Sequence, residues 1–157
     1  MIRTALNIGR RNFATAAAAG APELRLTFGT PHNPIYTDKV VSGISLPGED
    51  GYYGVLANKT PVIGQLKAGT VTIYHVGGEQ EKFFVSGGFA FSREDSTTDV
   101  ACPEAFPIDD FDVDAMKKEF AAASKAFAST NVPEEKAEAF IQLTALQELS
   151  RGMGVTL

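Results

Sequence analysis

The chain has 157 residues, with 14 Lys and Arg against 19 Asp and Glu and a formal net charge of -5. This length fits one domain, or one compact domain with a small appendage, and it is enough to bury a hydrophobic core. No apolar run approaches the roughly 20 residues that span a bilayer. The acidic balance disfavours nucleic-acid binding, which depends on clustered Lys and Arg.

The first 22 residues differ in charge from the rest of the chain. They contain Arg3, Arg10 and Arg11 and no acid. From Glu23 onward the chain therefore has the other 11 of its 14 basic residues and all 19 of its acidic residues, so that part is strongly acidic. Arginine-rich, acid-poor, amphipathic N-termini are typical of organelle transit peptides. The run Arg11-Asn12-Phe13-Ala14 resembles the processing site of mitochondrial presequences. Residues 1–22 are therefore predicted to be a mitochondrial transit peptide, with cleavage near residues 13–22. The alternative is a disordered, Ala-rich tail.

From Leu24 to Phe106 the apolar residues occur in short runs separated by Gly, Pro, Asn and Asp. The runs are of strand length and rich in Val, Ile, Thr, Tyr and Phe. Turn signals every eight to ten residues or so predict an antiparallel sandwich or barrel. Gly77-Gly78 predicts a tight hairpin turn. His75, beside this turn, is expected to face solvent.

After residue 110 the apolar period becomes helical. The first predicted helix carries its apolar residues at helical spacing and has acidic residues at its front, where carboxylates cap free amides. A break around "STNVPEE" follows, with Asn131 as a possible cap and Pro133 in the first turn of a second helix. That helix is expected to run to about Ser150 and to end at Gly152. Its apolar face is wide and comprises Ala139, Phe140, Leu143, Leu146 and Leu149.

The stretch "PGEDGYYGVLANKTP", residues 47–61, suggests a phosphate-binding loop because Lys59-Thr60 follows several glycines. The Walker pattern requires glycines where this chain has Tyr53 and Asn58, and it requires a helix where "VIGQL" predicts a strand. No nucleotide site is predicted.

Other catalytic chemistry has few candidates. His32, His75 and Cys102 have no evident partners, and a nucleophile requires a base within hydrogen-bond reach. The acidic residues 109–114 lack the Gly and distal Glu of an EF-hand. No catalytic residue, metal site or cofactor is predicted, which favours a binding or structural subunit over an enzyme.

Three runs carry a family resemblance: "LPGEDGYYGVLANKTPVIGQLKAGTV", "FFVSGGFA" and "DVACPEAFPIDDFD". In order and spacing they resemble the epsilon subunits of bacterial F-type ATP synthases, which correspond to the delta subunits of the mitochondrial enzyme. The resemblance implies an α+β fold: a flattened antiparallel β-sandwich of about ten strands over residues 23–108. A C-terminal antiparallel two-helix hairpin over residues 109–157 would follow.

The resemblance also implies a function. Such subunits are non-catalytic parts of the central stalk, on the matrix side of the mitochondrial inner membrane. They link the gamma subunit to the membrane rotor ring and help couple proton-driven rotation to ATP synthesis. The expected partners of this chain are therefore the gamma subunit, the rotor-ring subunits and the small mitochondrial stalk subunit.

Two sets of contact residues are carried over from the resemblance. The loop over residues 47–61 matches the family segment that faces the ring, although Asn58-Lys59 replaces the Gly-His of bacterial members. Its candidates are Glu49, Asp50, Tyr52, Asn58, Lys59 and Thr60. Candidates for the gamma side are Ser86, Gly87, Gly88, Phe140, Leu143 and Leu146.

The second helix departs from bacterial members that bind ATP, because it is acidic and has no Arg-Ala pair. A hairpin that inserts against acidic loops of the catalytic subunits is thus electrostatically disfavoured. The hairpin is expected to stay folded and structural. Two alternatives remain: a nucleotide-sensing regulator in the same complex, and an unrelated mitochondrial β-sandwich binding protein or enzyme.

Overall fold

The computed structural model describes residues 23–130 and 132–157, so the predicted transit peptide and the possible cap Asn131 lie outside the described residues. Ten strands precede a short 3-10 helix, Ile108–Asp110, and two α-helices. The elements are β1 (Leu24–Gly29), β2 (Pro34–Val41), β3 (Gly43–Gly48), β4 (Gly51–Val55), β5 (Val62–Leu66), β6 (Gly69–Tyr74), β7 (Gln80–Val85), β8 (Gly88–Ser92), β9 (Thr97–Ala101), β10 (Ala105–Pro107), α1 (Val113–Ser129) and α2 (Pro133–Met153).

The strands form one curled sheet that folds onto itself as a sandwich. Its order is β10-β7-β6-β3-β5-β8-β9-β1-β2, with β4 paired to β3. One half of the sheet contains β10, β7, β6, β3 and β4, and the other half contains β5, β8, β9, β1 and β2. The two halves join at β3 and β5, which share the single residue pair Gly48 and Leu66. The expected α+β fold of a ten-stranded sandwich and two helices is confirmed. One pair, β1 with β9, is parallel rather than antiparallel. A parallel pair needs a long connection, which the seven strands between β1 and β9 provide here.

The core lies between the two halves of the sheet. Inward residues alternate along β1, where Leu24, Leu26 and Phe28 are buried. The ring of Phe28 meets that of Phe83 on β7 edge-on, with centroids 5.4 Å apart. Apolar burial of this kind contributes about 25 cal/mol per Å² and is the main term that stabilises the sandwich.

The predicted turn between β6 and β7 is present. The His75 amide donates to the Glu79 carbonyl oxygen, and Gly78 adopts a φ of +87°. A side chain at that φ would be strained, which explains the glycine.

The two helices pack against each other and onto the β6–β7 side of the sandwich. Asp112 begins α1 as its N-cap and accepts a hydrogen bond from the Asp114 amide. Val132 stands at the N-cap of α2 without a side-chain cap, and Pro133 occupies the first turn as predicted. Ile108, Met116 and Leu149 form a second apolar cluster beneath the hairpin.

The expected end of the second helix at Gly152 was wrong. The helix continues to Met153, and Gly154 ends it in the left-handed conformation with a φ of +69°. Gly152 lies inside the helix because the sheet is very close there. A Cβ at Gly152 would stand 2.1 Å from Thr70 Oγ1 and 2.7 Å from Ile108 Cδ1.

Candidate partner-binding surfaces

The residues expected to face the ring fall into two groups. Glu49 and Asp50 form the exposed turn between β3 and β4, whereas Asn58, Lys59 and Thr60 lie in the loop after β4. Strand β4 has 5 residues and separates the groups by about 17 Å at the usual rise per residue. The structure does not gather the six residues into one patch.

The turn of Glu49 and Asp50 lies at the same end of the sandwich as the predicted gamma-side turn. Gly48 pairs with Leu66, and Leu66 pairs in turn with Gly88. Ser86 and Gly87 precede Gly88 in the connection from β7 to β8. Residues assigned to two different partners therefore share one end of the sandwich, which we call the β3–β4 end.

The paired glycines of this connection are explained by backbone contacts. Gly87 and Gly88 both have a φ of +143°. A Cβ at Gly88 would lie 2.3 Å from the Ala101 carbonyl oxygen on β9. Only glycine fits a backbone that approaches its neighbour so closely.

Tyr52 projects from β4 toward the helical hairpin. Its hydroxyl donates to the Glu148 carboxylate on α2 at 3.3 Å and accepts from the Thr70 amide on β6 at 3.2 Å. Tyr53, the next residue, packs against the core, and its buried hydroxyl has no hydrogen-bond partner among the described residues.

Asn58 is fixed by a residue that the sequence did not single out. Its amide donates to Ser96 Oγ at 2.9 Å, and the Ser96 hydroxyl donates back to Asn58 Oδ1 at 3.2 Å. Asn58 has a φ of +57°, a conformation that Asn and Gly tolerate best. This explains how Asn stands where the bacterial pattern has Gly. Lys59 and Thr60 remain exposed beside it.

An exposed apolar row crosses β5 and β8 on the outer face of the sheet. Ile63 is 76% exposed and lies directly across from Phe91, while Phe89 is 51% exposed and stacks on Phe91 with centroids 6.4 Å apart. We call Ile63, Phe89 and Phe91 the apolar row. The sequence carried a signal for it, since "VIGQL" and "FAFS" place apolar residues on both faces of their strands, as strands covered on both sides do.

The hairpin residues predicted for the gamma side divide between interior and surface. Leu146 packs into the second apolar cluster, and Leu143 is half-buried. Phe140 is exposed, and its ring lies 6.2 Å from that of Phe127 on α1. Ile141 beside it is also exposed. Phe140 and Ile141 are therefore the large apolar side chains that α2 exposes.

His75 does not face solvent as expected. Only 12% of its side chain is exposed, and its ring meets Tyr36 edge-on at 6.1 Å. Its Nε2 lies 3.2 Å from the Glu81 carboxylate, but the geometry is not that of a hydrogen bond. Burial lowers the pKa of His75, the Lys39 charge lowers that pKa further, and Glu79 opposes both effects. Tyr36 of β2 packs against the imidazole, a contact between distant parts of the chain that the sequence pattern could not reveal.

Cys102 is buried, and desolvation raises the pKa of its thiol to about 11. A thiol that is protonated near neutral pH is a poor nucleophile. Lys59-Thr60 leads into strand β5 rather than a helix, so the setting of a phosphate loop is missing.

Within residues 23–130 and 132–157, no group of three or more His, Cys, Asp and Glu is placed to hold a metal ion. Over the same residues, neither helix is long and apolar enough to cross a membrane.

The ten-stranded sheet and the helical hairpin seated on it define a β-sandwich protein with a C-terminal helix pair. The model of the ATP synthase delta/epsilon chain β-sandwich domain matches residues 23–106. The chain belongs to the ATP synthase delta/epsilon family. Membership excludes the alternative of an unrelated β-sandwich.

Two mitochondrial delta subunits are similar to this chain over more than nine-tenths of its length. The mitochondrial ATP synthase F(1) complex subunit delta of Dictyostelium discoideum is 38% identical over 97% of this chain and 89% of its own length. The mitochondrial ATP synthase subunit delta of Yarrowia lipolytica is 40% identical over 94% of this chain and 90% of its own length.

A solved structure supports the fold independently. One chain of the Euglena gracilis mitochondrial ATP synthase, in a structure of its OSCP, F1 and c-ring assembly, superposes with a TM-score of 0.81 at 22% identity. The match covers 85% of this chain and 82% of that chain.

Proposed function

We propose that the chain is a non-catalytic central-stalk subunit of a mitochondrial proton-transporting ATP synthase, which links the gamma subunit to the membrane rotor ring. Its delta-subunit relatives at 38% and 40% identity, aligned over more than nine-tenths of the chain, support this assignment. The single structural observation that carries it is the apolar row. A monomeric protein rarely exposes such side chains together, so a partner surface is expected there.

The gamma subunit is the proposed occupant of the apolar row. Ile63, Phe89 and Phe91 lie on the half of the sandwich that the hairpin does not cover. The row ends beside Gly88, one of the residues that the resemblance assigns to gamma. Ser86, Gly87 and Gly88 would extend this contact around the β3–β4 end.

The ring contact is proposed at the turn of Glu49 and Asp50. Both side chains are exposed, and they form the turn that closes the β3–β4 hairpin. Lys59 and Thr60 lie at the far end of β4, so a ring loop seated on the turn would not reach them. They would face a separate part of the stalk.

The resemblance assigned Phe140, Leu143 and Leu146 to the gamma side, but they lie on α2, whereas the apolar row proposed for gamma lies on β5 and β8. The small mitochondrial stalk subunit is therefore proposed as the partner of the hairpin instead. Phe140 and Ile141 form its exposed apolar surface, together with the half-buried Phe127 of α1. Leu143 and Leu146 support this surface from beneath. With these three proposed partners, the chain would lie on the matrix side of the inner membrane.

Affinity capture of the tagged full chain from mitochondria tests this function. Gamma, ring and catalytic-head subunits should be recovered together in fixed proportion. Ile63→Asp places a charge in the proposed apolar contact and should reduce gamma recovery at least about tenfold. The matched control is Val76→Asp at the β6–β7 turn, because Val76 is 71% exposed but lies outside the row. Capture without gamma, or equal loss in both variants, would contradict the proposal.

A further inference from the structure

Glu148 occupies an unfavourable position. Its side chain is 10% exposed near the end of α2, close to the negative pole of the helix dipole. Burying a carboxylate costs free energy unless charged or hydrogen-bonding partners compensate. Arg151 provides one such partner at 2.7 Å. Arg151 is itself largely exposed, so the inward side of the carboxylate depends on Tyr52.

The Tyr52 hydroxyl joins three elements at one oxygen atom. It donates to Glu148 on α2 and accepts from the Thr70 amide on β6, while its own backbone lies on β4. Burial raises the pKa of Tyr52 above its ordinary value of about 10, so the hydroxyl is protonated and can donate at neutral pH. Thr70 thus donates its amide to a side chain, and the Tyr52 contact is part of the local sheet structure.

Two glycines let the helix and the sheet come close around this contact. A Cβ at Gly69 would lie 3.0 Å from the Tyr52 hydroxyl and 2.8 Å from Pro47 Cβ. A Cβ at Gly152 would clash with Thr70 Oγ1. Pro47 pairs with Tyr52 across β3 and β4, directly beside the turn of Glu49 and Asp50. The contact is therefore one residue pair away from that turn.

We propose that Tyr52 and Glu148 form a latch that couples seating of the helical hairpin to the conformation of the Gly48–Gly51 turn. Loosening α2 removes the acceptor of the Tyr52 hydroxyl and frees the strand that carries the turn. Displacing the turn withdraws the donor from Glu148 and leaves a buried carboxylate with Arg151 alone. Because coupling between two sites is reciprocal, each change favours the other.

The apolar cluster beneath the hairpin offers a simpler account of seating. Ile108, Met116 and Leu149 hold the helices on the sheet without involving the turn. If they alone seat the hairpin, changes at Glu148 should affect α2 and leave residues 48–52 unchanged. The latch requires that both segments respond together.

Amide hydrogen exchange on the isolated full chain separates these accounts. The variants are Tyr52→Phe, which removes the donor, and Glu148→Met, which keeps the side-chain length but removes the acceptor. The matched control is Tyr53→Phe, which deletes a hydroxyl without a described partner. Both latch variants should speed exchange in residues 48–52 and in residues 146–153 by about threefold to tenfold, the loss of one hydrogen bond. Tyr53→Phe should change neither segment. Strand β1 serves as the reference for global unfolding.

Two results would overturn the latch. One is that Glu148→Met accelerates exchange in α2 alone. The other is that exchange rises equally in β1, which would make the contact a support of the whole fold. The latch rests on the proposed function in one respect, which is that the Gly48–Gly51 turn is taken to face a partner. The exchange measurement itself uses the isolated chain without any partner. Failure of the affinity capture would therefore not affect the hydrogen-exchange result. Failure of the hydrogen-exchange test would likewise not affect the proposed function.

Discussion

Asn58 and Ser96 bond each other reciprocally across two loops that are 38 residues apart in sequence. Each residue has positive φ, 57° for Asn58 and 64° for Ser96. The pair fastens the loop after β4 to the turn between β8 and β9, and so fixes the position of Lys59 and Thr60. Asn58, a candidate binding residue, thus also holds two loops together, and its sequence motif did not reveal this role.

Substitutions at Asn58 should separate backbone conformation from hydrogen bonding. Asn58→Gly keeps the left-handed backbone and loses one side-chain acceptor, so the free energy of unfolding should fall by about 0.5–1 kcal/mol. Asn58→Ala adds the strain of a Cβ at positive φ, for a total loss of about 1–2 kcal/mol. Urea denaturation measures both values. Equal losses of unfolding free energy in Asn58→Gly and Asn58→Ala would show that the left-handed backbone at this position causes no strain in the alanine variant.

Gly152→Ala should destabilise the protein although it replaces a glycine inside a helix. Alanine is favoured over glycine in a helix interior by about 1 kcal/mol. The new Cβ would collide with Thr70 and Ile108, and overpacking of this kind costs about 1–3 kcal/mol. A lower melting temperature is therefore expected, with exposed Gly77→Ala as a nearly neutral control. A rise in melting temperature would mean that α2 is not held so closely to β6.

His75 should make the fold less stable in acid. Burial depresses its pKa below the ordinary value of about 6.5, so as pH falls through 6.5 the unfolded chain takes up a proton that the native state does not. The groups around the ring are Tyr36, Lys39, Glu79 and Glu81. Thermal melts from pH 7.5 to 5.5 should show a smaller loss of stability in His75→Gln than in the wild type.

His32→Gln is the control for this pH dependence, because His32 is exposed and is the other of the 2 histidines. It should follow the wild-type curve. A His75→Gln curve parallel to the wild type would show that the imidazole is not buried as described.

The fold was largely predictable because its signals are local. Strand runs, the turn at Gly78 and the helical period after residue 110 each depend on neighbouring residues, and each matches the structure. The helix end at Gly152 was misplaced because glycine has two uses that the sequence cannot distinguish. One is to end a helix in the left-handed conformation, as Gly154 does, and the other is to admit a close neighbour.

The candidate surfaces were less predictable because they depend on long-range pairing. Tyr52 meets Glu148 across 96 residues, and the burial of His75 depends on Tyr36 from another strand. The apolar row appears only when β5 and β8 are placed side by side. The ring, gamma and small-subunit contacts remain predictions, as does the lack of a nucleotide site, which calorimetry with ATP would test.

Site-specific photo-crosslinking in the assembled complex tests the central claim most directly. A photoreactive amino acid would replace Asp50 in one variant and Ile63 in another, with Val76 as the control position. The account predicts that the Asp50 position crosslinks to a ring subunit and the Ile63 position to gamma, while the Val76 position yields neither product. Efficient assembly in which position 50 misses the ring and position 63 misses gamma would contradict it.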